Sequence, residues 1–144
     1  MMRSDPVMKK EHFTQGVAST LLTFYLLTTP ILGNAADWVN VGENAGGTFY
    51  IDQDTIKNVH NGVRVWTLVD LKQQSPDGTK SVKMLALFDC EVTGWIQLNG
   101  YSYSGKMGSG EVLRTDPRKH DIQYAPPGSV MEYTIQKSCA SINN

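Results

Sequence analysis

The chain has 144 residues, with 13 Lys and Arg against 14 Asp and Glu, for a formal net charge of −1. This near-neutral balance leaves no electrostatic footprint for nucleic acid or an acidic membrane surface. The length holds one domain with one core.

The first 35 residues read as an export signal. Lys9 and Lys10 precede an apolar run over residues 17–32, and Gly33, Asn34, Ala35 and Ala36 follow it. Basic, apolar and small residues in that order make a secretory signal peptide, with cleavage expected after Ala35 or Ala36. The run is shorter than the ~20 apolar residues a membrane helix needs. Met8 directly precedes the lysines and offers a second start beside Met1. The only cysteines, Cys90 and Cys139, lie far from the cleavage site, so no lipid anchor is expected. Residues 36–144 are then a mature domain carrying 10 Lys and Arg against 12 Asp and Glu. The expected location is the periplasm, the cell surface or the medium. Two cysteines in an exported chain read as one disulfide, Cys90–Cys139.

Along the mature chain, strand formers cluster at residues 38–41, 48–51, 63–71, 81–90, 95–103 and 111–114. Between them stand "GENAGG", "NVHNG", "QQSPDGTK" and "GKMGSG", all turn chemistry. The spacing predicts an antiparallel sheet of about six strands, a mainly β member of the α+β class. Val82, Met84, Ala86, Phe88 and Cys90 share one face of their strand. Lys83, Leu85, Leu87 and Asp89 share the other, so the sheet is half apolar on its second face as well. In the next strand, strict alternation puts Ile96 and Leu98 on one side and Trp95, Tyr101 and Tyr103 on the other.

One segment reads as a helix. In "PPGSVMEYTIQKSCA", Ser129 is the expected N-cap, with Glu132 three residues on as its capping-box partner. Met131, Ile135 and Cys139 then form a stripe at i, i+4 and i+8. Both cysteines thus emerge from the apolar side of their elements, which predicts a helix laid across the sheet and locked there by the bond.

The stretch "GYSYSGKMGSG" imitates a phosphate-binding loop, with Gly100, Gly105 and Lys106 in the expected places. Met107 stands where such a loop needs Ser or Thr for magnesium, and strand formers follow instead of a helix. A turn is expected, with Gly105, Gly108 and Gly110 supplying its conformational freedom. No nucleotide or other cofactor is expected. Other chemistry is thin. His60 and His120 have no ligand-spaced partners, and Asp52 and Asp54 lack the Gly and Glu that would complete a calcium loop, so no metal is expected. An Asx turn opening a short helical turn is the expected role of Asp52 and Asp54. No serine or cysteine nucleophile has a base partner, and no enzyme is indicated. Lys72, Lys80 and Lys83 are expected at a solvated hairpin tip.

The run "YSGKMGSGEVL" resembles the Tyr-Ser-Gly-x-Met-Gly-x-Gly-x-Val stretch of the surface-adhesin protein E family of bacterial exported proteins. "DWVNVGEN", "FYIDQDTI", "VRVWTLVDL", "FDC" and "PPGSV…KSCA" are similar to further family stretches in the same order, over residues 37–139. The resemblance implies an antiparallel sheet whose concave face carries a disulfide-tied carboxy-terminal helix. It also implies a protein that binds host matrix or serum proteins at the outer membrane. The chain departs from the pattern in two places. It has no cysteine to take a lipid, and "KHDIQYAPPGS" lacks the Trp that usually precedes the Pro-Gly-Ser. The expected function is a binding module of the cell envelope; a small periplasmic inhibitor or envelope-maintenance protein of the lysozyme-inhibitor type is the alternative. Trp95, Tyr101 and Tyr103 are the expected contact for a partner protein or a second copy of the chain, unless they complete a second small core.

Overall fold

The computed structural model describes residues 36–117 and 121–142. The export signal expected over residues 1–35, and His120, lie outside them. Eight strands form a single sheet: β1 (Trp38–Glu43), β2 (Gly47–Asp52), β3 (Lys57–Val59), β4 (Gly62–Leu71), β5 (Ser81–Asp89), β6 (Gly94–Tyr103), β7 (Val112–Asp116) and β8 (Gln123–Tyr124). The main path runs β1-β2-β4-β5-β6-β7; β3 adds to β4 and β8 to β6. Every pairing is antiparallel. The two strands beyond the expected six are the shortest, three and two residues. β3 is made from the first residues of "NVHNG" and the lysine before it, leaving His60 and Asn61 as a two-residue hairpin turn. Asn61 takes φ 62° there, a left-handed conformation that its short polar side chain tolerates.

The turns follow their residue chemistry. Asn44 Oδ1 accepts from Gly46 N at 2.8 Å and Gly47 N at 3.1 Å, closing β1 onto β2. Between β4 and β5, Gly78 N donates to Ser75 O at 2.9 Å across Pro76-Asp77. Asp89 Oδ1 accepts from Glu91 N and Val92 N to turn β5 into β6. The expected Asx turn at Asp52 is not formed. A short 3-10 turn does follow it (Gln53–Thr55), but the Asp52 carboxylate accepts from Asp37 N at 3.2 Å instead. Asp52 thereby ties the chain entering β1 to the end of β2.

The core lies on one face of this sheet. Val63 pairs with Phe88, Val65 with Ala86, and Thr67 with both Met84 and Ile51. Val63, Val65, Ala86, Phe88 and Ile51 are completely buried. β1 contributes Val39 and Val41, with a bulge between Asn40 and Gly42 at its middle. The helix α1 (Val130–Ala140) covers this face over β1, β2, β4 and β5.

α1 begins as its sequence predicts. Ser129 Oγ accepts from Glu132 N at 3.1 Å, and Glu132 Oε2 accepts from Gly128 N at 2.6 Å, one residue before the usual capping-box position. Met131, Ile135 and Cys139 all pack on the core. Thr134 and Ser138 are buried beside them, although both are polar. Each hydroxyl donates to the carbonyl four residues back, at 2.7 Å and 2.8 Å, so neither buries an unpaired group. Small hydroxylated residues let the helix lie close to the sheet. Cys90, just past β5, is bonded to Cys139 in the last turn of α1, with Cα atoms 5.9 Å apart. The disulfide and the helix position are those expected.

Candidate functional site

Among the described residues no helix lies over the opposite face of the sheet. Its side chains come from the other parity of each strand: Trp38 from β1, Tyr50 from β2, Arg64, Trp66 and Leu68 from β4, and Lys83, Leu85 and Leu87 from β5. β6 reaches it by a change of register. Leu87 pairs with Ile96 and Ala86 with Gln97, but Leu85 pairs with Asn99, so Leu98 is an extra residue. That bulge reverses the alternation. Tyr101 and Tyr103, opposite Lys83 and Ser81, stand on the helix-free face. Trp95, opposite Phe88, stands on the helix face and packs against the core.

The expected trio is therefore divided. Trp95 is not on the same side as Tyr101 and Tyr103, because the period of two breaks at Leu98. Gly100, inside an otherwise strong strand pattern, was the available sign of a bulge. Trp66 and Trp38 stand with the tyrosines instead. The ring of Trp66 lies 6.0 Å from that of Tyr101, tilted by 35°. Tyr101 Oη also accepts from Asn99 Nδ2 at 3.0 Å, which holds the ring.

Part of this face is packed and part of it is open. Leu68 is completely buried, a one-residue core on the second side of the sheet. Lys83, its cross-strand partner, crosses between two rings, with its ammonium 5.5 Å from the Trp38 centroid and 5.3 Å from that of Tyr103. Cation–π attraction accounts for a lysine held there. Lys83 is thus no solvated tip residue, whereas Lys72 pairs with Glu43 at 3.4 Å in solvent. Trp66, Leu85, Leu87, Tyr101 and Tyr103 remain half-exposed.

The glycine loop closes one end of this face. Residues 104–111 fold back onto β4 and β5 as a turn whose 3-10 segment is Lys106–Gly108. Met107 N donates to Asp70 Oδ1 at 2.6 Å, and Gly108 N donates to Ser81 Oγ at 2.9 Å. Ser81 is completely buried and its hydroxyl donates to Gly105 O at 2.6 Å. Lys106 Nζ donates to Leu71 O. The Met107 and Gly108 amides and the Lys106 ammonium are thus each bonded within the protein. Gly108 and Gly110 hold φ 68° and 77°, and Gly105 lies against the Ser109 backbone. A side chain at Gly108 would also displace the stem of Lys83. We therefore expect Lys106→Ala to cost no more than about 1 kcal/mol, the value of one exposed hydrogen bond. Gly108→Val should cost about 2 kcal/mol or more, through the strained φ and the lost lysine position. Thermal melts of the two variants check this ordering.

Beyond the loop, Asp54, Thr55, Lys57, Arg64, Trp66 and Leu85 line an open cleft of about 350 Å³. Thr55 fixes its wall to the central strand: its hydroxyl donates to Asp52 O at 2.9 Å and accepts from Trp66 N at 3.1 Å. His60 is exposed in its hairpin turn. Among the described residues no group of three or more His, Cys, Asp and Glu side chains converges. No helix among them is long and apolar enough to cross a membrane.

A disulfide-tied helix on one sheet face, with half-exposed aromatics on the other, defines a small α+β domain that presents an open face. The chain belongs to the surface-adhesin protein E family, whose model matches residues 38–140. It is adhesin-like by that membership. Among solved structures it is similar to crystal form II of Haemophilus influenzae protein E, at 18% identity and a TM-score of 0.59, over 81% of this chain and 97% of that one. Another structure of Haemophilus influenzae protein E matches at 19% identity and 0.54, over 72% and 83% of the two chains. Protein E from non-typeable Haemophilus influenzae matches at 18% and 0.51, over 76% and 78%. At these identities the likeness establishes a shared fold. No curated protein matches the sequence.

Proposed function

We propose that this chain is a non-enzymatic binding protein of the bacterial cell envelope. It is exported by its first 35 residues, and its mature domain, residues 36–144, holds a protein partner on the helix-free sheet face. The row of half-exposed rings, Trp66, Tyr101 and Tyr103, beside Leu85 and Leu87 carries this reading. Aromatic side chains bring large contact area at little entropic cost and are enriched where proteins meet. In a family of surface adhesins, host matrix and serum proteins are the partners to try first.

The test combines location with binding. Protease added to intact cells should remove the chain, and the purified mature domain should be retained on at least one immobilised matrix or serum protein. A chain found only in the cytoplasm, or a domain retained on none of them, contradicts the reading.

A further inference from the structure

β3 brings together two cations whose side chains have no acidic partner among the described residues. Lys57 and Arg64 are direct cross-strand partners on the β3–β4 hairpin, and both are exposed. Like charges placed opposite one another in a sheet repel. Asp54 lines the same cleft, yet neither cation forms an ion pair among the described residues. The next residue of β4 on this face is Trp66, opposite Leu85. Two unpaired cations therefore adjoin an apolar floor within one cleft.

We propose that this cleft binds an acidic peptide segment of a protein partner. A carboxylate of the segment sits on the Lys57–Arg64 pair, and a neighbouring apolar side chain lies on Trp66 and Leu85. The guanidinium of Arg64 offers a planar fork that matches a carboxylate, and Lys57 adds a second charge from across the hairpin. Binding removes the repulsion that the free protein carries. The cleft volume is near the lower end of small-ligand sites, enough for two or three side chains and too small for a folded element. The donors also favour a peptide over an acidic sugar. A sugar ring needs several groups for its hydroxyls, and the Thr55 hydroxyl is already used twice, to Asp52 O and from Trp66 N. Apart from the two cations, which the carboxylate engages, only the Asp54 carboxylate remains among the polar lining groups.

The proposal rests on the preceding section only in placing the partner on this face, and its test needs neither cells nor a host protein. The probe is the peptide acetyl-Gly-Phe-Glu-Glu-Gly-amide, titrated into the labelled mature domain while amide, indole and guanidinium NMR signals are followed. Saturable shifts should centre on Lys57, Arg64 and Trp66. Arg64→Gln should weaken binding about tenfold, the loss of one charge-assisted hydrogen-bond pair. Raising salt from about 50 mM to about 500 mM should weaken it further, because exposed charges are screened. The Gln-Gln peptide and glucuronic acid should not saturate. Separately, Arg64→Gln should leave the melting temperature unchanged or raise it by about 1–4 °C, by removing the repulsion. Equal binding of the Gln-Gln peptide, binding insensitive to Arg64→Gln, or saturation by glucuronic acid alone would overturn the proposal. So would a clear fall in melting temperature, which would make the pair a structural one. Should the domain bind no matrix or serum protein, the peptide result would still stand or fall separately.

Discussion

The double variant Cys90→Ser, Cys139→Ser should lose about 4 kcal/mol of stability and melt about 20 °C lower. The size follows from the ring the bond closes, since the two cysteines are 49 residues apart. Crosslinking positions that distant removes much of the freedom of the unfolded chain. That ring contains all of β6, β7 and β8, so the bond restrains three of the eight strands as well as α1. In the folded state it pins only the last turn of the helix. The first turn keeps its Ser129 cap, and Ile135 stays buried mid-helix, so α1 should remain on the sheet at room temperature. Circular dichroism with thermal melts reads both effects. A fall of only a few degrees would mean that helix packing alone sets the stability. Ready alkylation of both thiols without a reductant would mean that the bond does not form.

What was legible in the sequence follows where local periodicity stayed unbroken. β5 alternates without interruption from Val82 to Phe88, so its core face could be read by twos, and the cysteine beyond it as well. α1 announces its start through Ser129 and Glu132, and its stripe through residues four apart. With the two cysteines, those elements define the helix-on-sheet arrangement from the sequence alone. The burial of Thr134 and Ser138 was hidden, because a hydroxyl bonded within its own helix behaves as a small packing residue that its polarity conceals.

The helix-free face was harder to read, and each reason is physical. A one-residue bulge at Leu98 carries Trp95 to the core and leaves the tyrosines behind, and alternation cannot show which residue is extra. β3 is too short for a pattern of its own, so the opposition of Lys57 and Arg64 appears only once the hairpin is paired. The glycine loop was readable as a turn but not as a cover. Its anchors, Asp70 and Ser81, lie 37 and 27 residues before the amides they hold. Lys83 looked like a tip residue for the same reason, since Trp38 comes to it from the far edge of the sheet.

The division of labour between the two faces is the central claim, and one crossed comparison tests it. Trp95→Ala empties part of the packing on the core face and should cost about 2–4 kcal/mol, given that large buried aromatics cost ~3–5 and this ring is only partly buried. Tyr101→Ala with Tyr103→Ala removes two half-exposed rings from the other face. That pair should lower the melting temperature by only a few degrees, because Trp38 still holds Lys83 and the glycine loop keeps its bonds to Asp70 and Ser81. Both proteins are melted, then tested below their transitions for retention on immobilised matrix and serum proteins. The account predicts that Trp95→Ala melts far lower yet binds within about twofold of the parent, while the tyrosine pair melts almost normally and binds at least about tenfold more weakly. The reverse outcome, a collapse of stability in the tyrosine pair with binding lost only in Trp95→Ala, would contradict it.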